Sequence, residues 1–163
     1  PLIIVRGVVS KSMELDLIYD KIYRYVYFRV HDQELAEDIT QEAFLRHMER
    51  KGSMAGYEMR YLYAIAKNLC VDEFRRVRES PIPEGYEASS DFSETEILRT
   101  IALQKAVSEL DSESQELLLL RYVNEESVVT ISKLYDCSRF ALYRKIRKAE
   151  KKLREILEVS IHE

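Results

Sequence analysis

Residues 139–154 carry eight Lys or Arg against one acid, Glu150, a local charge of +7. A stripe that dense within about four helical turns is chemistry for a polyanion, whatever the charge of the whole chain. Placed on a helix at 100° per residue, Leu142, Ile146, Ala149, Leu153 and Ile156 form one apolar edge. Phe140, Tyr143, Arg144, Arg147, Lys148 and Lys151 fall on the opposite side. The pattern predicts a helix buried along one edge that turns a basic, partly aromatic face outward. A solvated C-terminal helix steadied by its own dipole has the same composition. The segment ahead of it, VVTISKLYDCS, favours DNA, because a short helix and a tight turn are what hold a recognition helix for the major groove. Asp136 stands where such turns commonly have glycine, and Asp enters the left-handed region more readily than most residues.

A second stripe lies earlier. Tyr61, Ile65, Asn68, Asp72, Arg75 and Arg76 project within an arc of roughly 100° on a helix. Leu62, Ala66, Leu69 and Cys70 point elsewhere and read as core. An aromatic that stacks on bases, an amide that reads base edges and arginines that hold phosphate suit unstacked strands better than smooth duplex. Tyr61 reads equally as a half-buried edge of the core.

Other chemistry is poorly represented. His31, His47 and His162 are far apart and stand near no cysteine at metal-ligand spacing. There is no glycine-rich phosphate loop. Glu37, Asp38 and Glu42 share a helix, where a solvated acidic face explains them. No enzyme, metal site or cofactor is expected.

The elements that must position the two stripes are helices. In 163 residues, 46% are apolar and 33% charged, with 4 Gly, 3 Pro and no Trp against 11 Tyr. So few turn-formers argue against a barrel or sandwich of short strands. The net charge of −4 is concentrated in residues 81–100, which hold five acids and one base. Around it SPIPEGYEASSDFSET, with two of the three prolines, carries no apolar period. Residues 79–96 are therefore read as an acidic linker between helical blocks 14–78 and 97–158. The first block predicts three amphipathic helices, through Leu15–Val26, Leu35–Ala43 and Leu62–Cys70, with breaks at HDQ (31–33) and KGSMAG (51–56). The second predicts helices near 97–109, 112–122, 128–134 and 138–158, with Asp111 and Ser112 offering one N-cap and Ser138 another. Residues 1–13 show no helical logic and read either as an upstream extension or as a vector remnant. They lack the basic segment and cleavage site of a signal peptide. Nothing reaches the ~18 consecutive apolar residues of a membrane span. Cys70 and Cys137 make no disulfide framework. A soluble, all-α, cytoplasmic protein of two small helical domains is expected, the C-terminal one a helix-turn-helix.

Taken together, these residues resemble the extracytoplasmic-function sigma factors of bacterial RNA polymerase, within the sigma-70 superfamily. LAEDITQEAF (35–44) is similar to the segment that docks the polymerase clamp. RYLYAIAKNLCVDEFRR (60–76) is similar to the promoter-melting helix. CSRFALYRKIRKAEKKL (137–153) aligns without gaps to the recognition helix, and ALQKAVSELDSESQELLLLRYV (102–123) matches the run that precedes it. The likeness covers about 14–158.

The resemblance implies a transcription initiation factor that binds core RNA polymerase, at the clamp of the largest subunit and the flap of the second. It implies polymerase contacts at Leu35, Asp38, Ile39, Gln41, Glu42 and Phe44, although Phe44 reads equally as a core residue. It implies minus-ten recognition and melting by 51–76, through Tyr61, Lys67, Asn68, Asp72, Arg75 and Arg76. It implies minus-thirty-five readout by Ser138, Arg139, Phe140, Tyr143, Arg144, Arg147 and Lys148. An anti-sigma protein is the expected regulator, and no membrane insertion is implied. Block 14–78 corresponds to sigma region 2 and 97–158 to region 4. Tyr61 stands for the family's usual Trp, Gln115 for Arg, TIS (130–132) for Glu-Ile-Ala, and Phe140–Ala141 for Gly-Thr. The last departure points to an unusual promoter sequence or a divergent subgroup. The alternative is a stand-alone helix-turn-helix regulator that needs no polymerase and binds DNA as a symmetric dimer.

Overall fold

The computed structural model describes residues 2–51, 59–77 and 94–162. The proline-containing stretch of the expected linker and the break after Lys51 lie outside the described residues. The chain forms two compact units, Pro1–Glu84 and Gly85–Glu163. Every element among the described residues is helical.

The first unit packs α1 (Leu2–Val30), α2 (Gln33–Lys51) and α3 (Met59–Val77). Ile22, Tyr25 and Val26 from α1 meet Ala36, Ile39, Ala43 and Phe44 from α2 and Leu62, Tyr63, Ala66 and Cys70 from α3. Tyr25 and Tyr63 meet edge-on at 5.1 Å between ring centres, the geometry their ring quadrupoles favour. Tyr19 lies against Phe44 at 5.6 Å. Three fully buried alanines, 36, 43 and 66, let the helices approach closely. Burial pushes the Cys70 thiol up to about 11, so it is protonated and unreactive at neutral pH.

The break at 31–33 falls where the sequence places it. His31 takes φ 52° and its N–H returns to the Tyr27 carbonyl at 2.8 Å, closing α1 in a left-handed cap. Asp32 then caps α2 by accepting from the Leu35 N–H at 2.8 Å. At the other end the expectation fails: α1 runs back through the residues before Met13 to Leu2. Those residues lack an amphipathic period, but residues 2–12 contain no proline. A helix already nucleated extends at the cost of one residue per new hydrogen bond.

The second unit contains α4 (Glu94–Ser108), α5 (Ser112–Leu118), α6 (Val128–Leu134) and α7 (Arg139–His162). The single helix expected over 112–122 is instead α5 followed by a π-helical turn, Leu119–Val123. Leu117, Leu118, Leu119 and Leu120 are all buried. Four consecutive residues span about 300° of an α-helix, so this segment is surrounded by its neighbours rather than laid on a surface. Ala106, Leu110, Ile131, Leu142, Ile146 and Ala149 complete the core. Leu153 and Ile156 of the predicted stripe pack partly buried against Leu110, Leu118 and Ala149.

Candidate nucleic-acid interface

Three local devices aim α7. Ser127 caps α6, accepting from the Thr130 N–H. Asp136 takes φ 48°; its N–H reaches the Lys133 carbonyl and the Cys137 N–H the Ser132 carbonyl at 3.0 Å. This is a Schellman turn with aspartate in the left-handed position where glycine is commoner. Ser138 then caps α7 by accepting from the Ala141 N–H at 3.1 Å. Short helix, fixed turn and long helix together make the helix-turn-helix.

Burial divides α7 along the predicted line. Leu142, Ile146 and Ala149 are buried, whereas Arg139, Phe140, Tyr143, Arg144, Arg147, Lys148 and Lys151 are exposed. Ser138, at the cap, is exposed as well.

Not all of the basic stripe faces solvent equally. Lys145 Nζ reaches Glu113 Oε1 at 2.5 Å and Lys152 Nζ reaches Asp111 Oδ2 at 3.1 Å. Glu150, the one acid in the stripe, accepts from the Tyr122 hydroxyl. That bond raises the Tyr122 pKa, and the Glu113 bond raises that of Lys145. These ties fasten α7 to the α5 region. They also hold the acid on the flank, leaving Arg139, Arg144, Arg147 and Lys148 on the outward face.

Asp111 does two jobs, capping α5 and holding Lys152. The Ser114 N–H (2.9 Å) and Ser114 hydroxyl (2.8 Å) donate to it. These bonds, with Lys152, hold its carboxyl well below the usual carboxylate range. A depressed folded pKa contributes stability that is full above the unfolded value of 3.8 and fades as pH falls below it. Asp111→Ala should therefore cost about 1 kcal/mol at neutral pH, with the deficit beginning to close below pH 3.8 and continuing to close as the pH falls toward the lowered folded value. Urea titrations across pH check this. A deficit that stays constant down to acid pH contradicts it.

On α3, Asn68, Asp72, Arg75 and Arg76 are exposed, and Tyr61, Ile65 and Lys67 are half-buried. The predicted arc is thus brought onto one face. Two details were not legible in the sequence. Tyr61 sits beside two guanidinium groups, Arg60 at 4.7 Å and Arg50 of α2 at 5.3 Å from the ring centre. Arg60 Nη2 also donates to the Tyr61 hydroxyl at 3.0 Å. Arg76 is held by Glu73, one turn back, at 2.6 Å, which raises its pKa. Val71 and Phe74 are exposed as well; at 100° per residue Val71 flanks the arc and Phe74 lies on the far side of the helix.

On α2, Asp38 and Gln41 are exposed, and Leu35 and Glu42 are half-buried. Ile39 and Phe44 lie in the core of the unit, Phe44 against Tyr19. Glu42 holds Arg46 at 2.6 Å. Leu45, which the sequence reading did not single out, is 53% exposed. It follows Asp38 and Gln41 at spacings of 7 and 4, on the same side of the helix.

Among the described residues no group of three or more His, Cys, Asp or Glu could hold a metal ion. No described helix is long and apolar enough to cross a membrane.

Residues 16–79 match the family model of sigma-70 region 2. The extracytoplasmic-function RNA polymerase sigma factor BldN of Streptomyces coelicolor is 33% identical over 148 residues, covering 81% of this chain and 56% of BldN. The chain thus spans little more than half of that relative's length. The corresponding factor SigW of Bacillus subtilis is 25% identical over 174 residues, 88% of this chain and 86% of SigW. In fold, the chain is similar to the sigma factor RpoE solved in complex with the anti-sigma factor NepR from Bartonella quintana. The TM-score is 0.67 at 18% identity, over 92% of this chain and 98% of that one.

Proposed function

We propose that the chain is a member of the extracytoplasmic-function group of the sigma-70 family, a transcription initiation factor acting on core RNA polymerase. In this reading 14–78 is sigma region 2. The exposed Asp38–Gln41–Leu45 face of α2 docks on the clamp of the largest subunit. The Tyr61–Asn68–Arg75 face of α3 recognises and opens the minus-ten element. Residues 97–158 are region 4, which meets the flap of the second subunit and reads the minus-thirty-five element with α7. Residues 79–96 are the linker between them. The activity is binding and strand opening rather than catalysis of a bond, its compartment is the cytoplasm, and its regulator is an anti-sigma protein.

The observation that supports the reading best is the division of labour between the units. One matches a sigma region and carries a face suited to unstacked bases. The other carries a helix-turn-helix with a basic face suited to duplex. A stand-alone helix-turn-helix regulator, with the first unit only an oligomerisation or sensing module, does not account for the likeness of residues 16–79 to sigma-70 region 2. Gel filtration and DNA binding, with and without core polymerase, separate the two. The sigma reading expects a monomer that binds duplex promoter weakly alone and tightly with polymerase. A symmetric dimer that binds a palindromic site unaided, to which polymerase adds nothing, overturns it.

A further inference from the structure

Phe140 is 83% exposed, more than any other large apolar side chain among the described residues. A single exposed hydrophobic group is ordinary on a protein surface. This one is distinguished by its place and its neighbours. It is the second residue of α7, directly after the Ser138 cap, and the N-terminal residues of a recognition helix are those that approach base edges. Tyr143, Arg144 and Arg147 follow at spacings of 3, 4 and 7, so all share its side of the helix. All three are exposed, as is Arg139. An apolar ring ringed by guanidinium groups is a poor seat for an apolar protein surface, which would have to desolvate those charges. It is a good one for DNA, where the cations meet phosphate and the ring meets the groove floor. Only one base presents an apolar group there, the 5-methyl of thymine.

We propose that Phe140 is a specificity-determining residue of the minus-thirty-five contact, packing its ring against the 5-methyl group of a thymine in the major groove. The proposal rests on the reading of α7 as the minus-thirty-five helix. Where the resembling family has glycine there is no side chain to make this contact, so the preference is this chain's own. The ring has no task in the core, and its removal leaves the Leu142–Ile146–Ala149 edge in place.

The test uses the full chain bound to core polymerase. Promoters are first selected from a library randomised over the minus-thirty-five element. Each selected thymine is then replaced by deoxyuridine, which deletes only the methyl group. The proposal expects one or two thymines at which the parent loses about fourfold in affinity, the worth of one buried methyl. Phe140→Ala should bind the thymine promoter as weakly as the parent binds the uracil one, with no further loss on methyl deletion and an unchanged melting temperature. Phe140→Leu should keep part of the methyl dependence. If the parent selects a minus-thirty-five element but is indifferent to every methyl, or if Phe140→Ala keeps the full methyl dependence, the proposal fails and the reading of α7 stands. If no minus-thirty-five element is selected at all, the reading of α7 fails and takes the proposal with it.

Discussion

Arg144→Ala should flatten the preference among minus-thirty-five sequences by ~1–3 kcal/mol, the value of one good base contact. Lys151→Ala should instead weaken binding evenly across sequences. Both side chains are exposed and point away from the buried Leu142–Ile146–Ala149 edge, so neither truncation opens the core. Their positions along α7 separate their roles. Arg144 lies one turn beyond Phe140, within the groove-reading stretch. Lys151 lies two turns further, where the helix would leave the DNA in the proposed reading, and is paired only loosely with Glu155 at 3.9 Å. A lysine contact to phosphate shows itself as a salt dependence, so Lys151→Ala should also make the slope of log affinity against log salt shallower by roughly one unit. Fluorescence anisotropy of the polymerase-bound chain on matched and scrambled promoters, at several salt concentrations, measures both. Sequence discrimination by Arg144→Ala equal to that of the parent would remove Arg144 from the base-reading surface, and a parent that discriminates among no sequences would leave α7 a solvated helix.

The second large effect is expected on α3. Asn68 is exposed on the same face as Asp72 and Arg75, and its amide can both donate to and accept from a base edge. Asn68→Ala should lose ~1–3 kcal/mol of discrimination at the minus-ten element, while binding to core polymerase, assigned to α2, is unchanged. Transcription from parent and base-substituted minus-ten promoters reads this out. A variant that ranks those promoters as the parent does would remove Asn68 from the recognition surface.

Much of the architecture was legible because helical period and caps agreed. The α7 edge, the Asp111 and Ser138 caps, the break at His31 and the left-handed Asp136 all follow from residue type and local spacing. The face of α3 was legible for the same reason, since an arc on one helix needs no partner. What escaped was tertiary. The ties Glu113–Lys145, Asp111–Lys152 and Tyr122–Glu150 join residues 32, 41 and 28 positions apart, and no periodicity foretells them. Arg50 beside Tyr61 depends on how α2 meets α3. Four consecutive leucines announce burial but not the π-helical turn that follows from placing all of them inside. On α2, where the motif implies contacts at Ile39 and Phe44 and Phe44 reads equally as core, both side chains are buried within the unit and Leu45 is exposed. A motif records which residues recur, and a core residue that shapes a docking face recurs as faithfully as one that touches the partner.

The central claim is that this chain directs polymerase to promoters, and run-off transcription measures it most directly. The purified chain is mixed with core RNA polymerase that carries no other sigma factor, then with linear promoter templates drawn from the selection described above. The account predicts that the chain co-purifies with core polymerase and that discrete transcripts start downstream of the selected elements only when it is present. A chain that binds the same DNA without polymerase, or that co-purifies with polymerase yet yields no promoter-specific transcript, would contradict it.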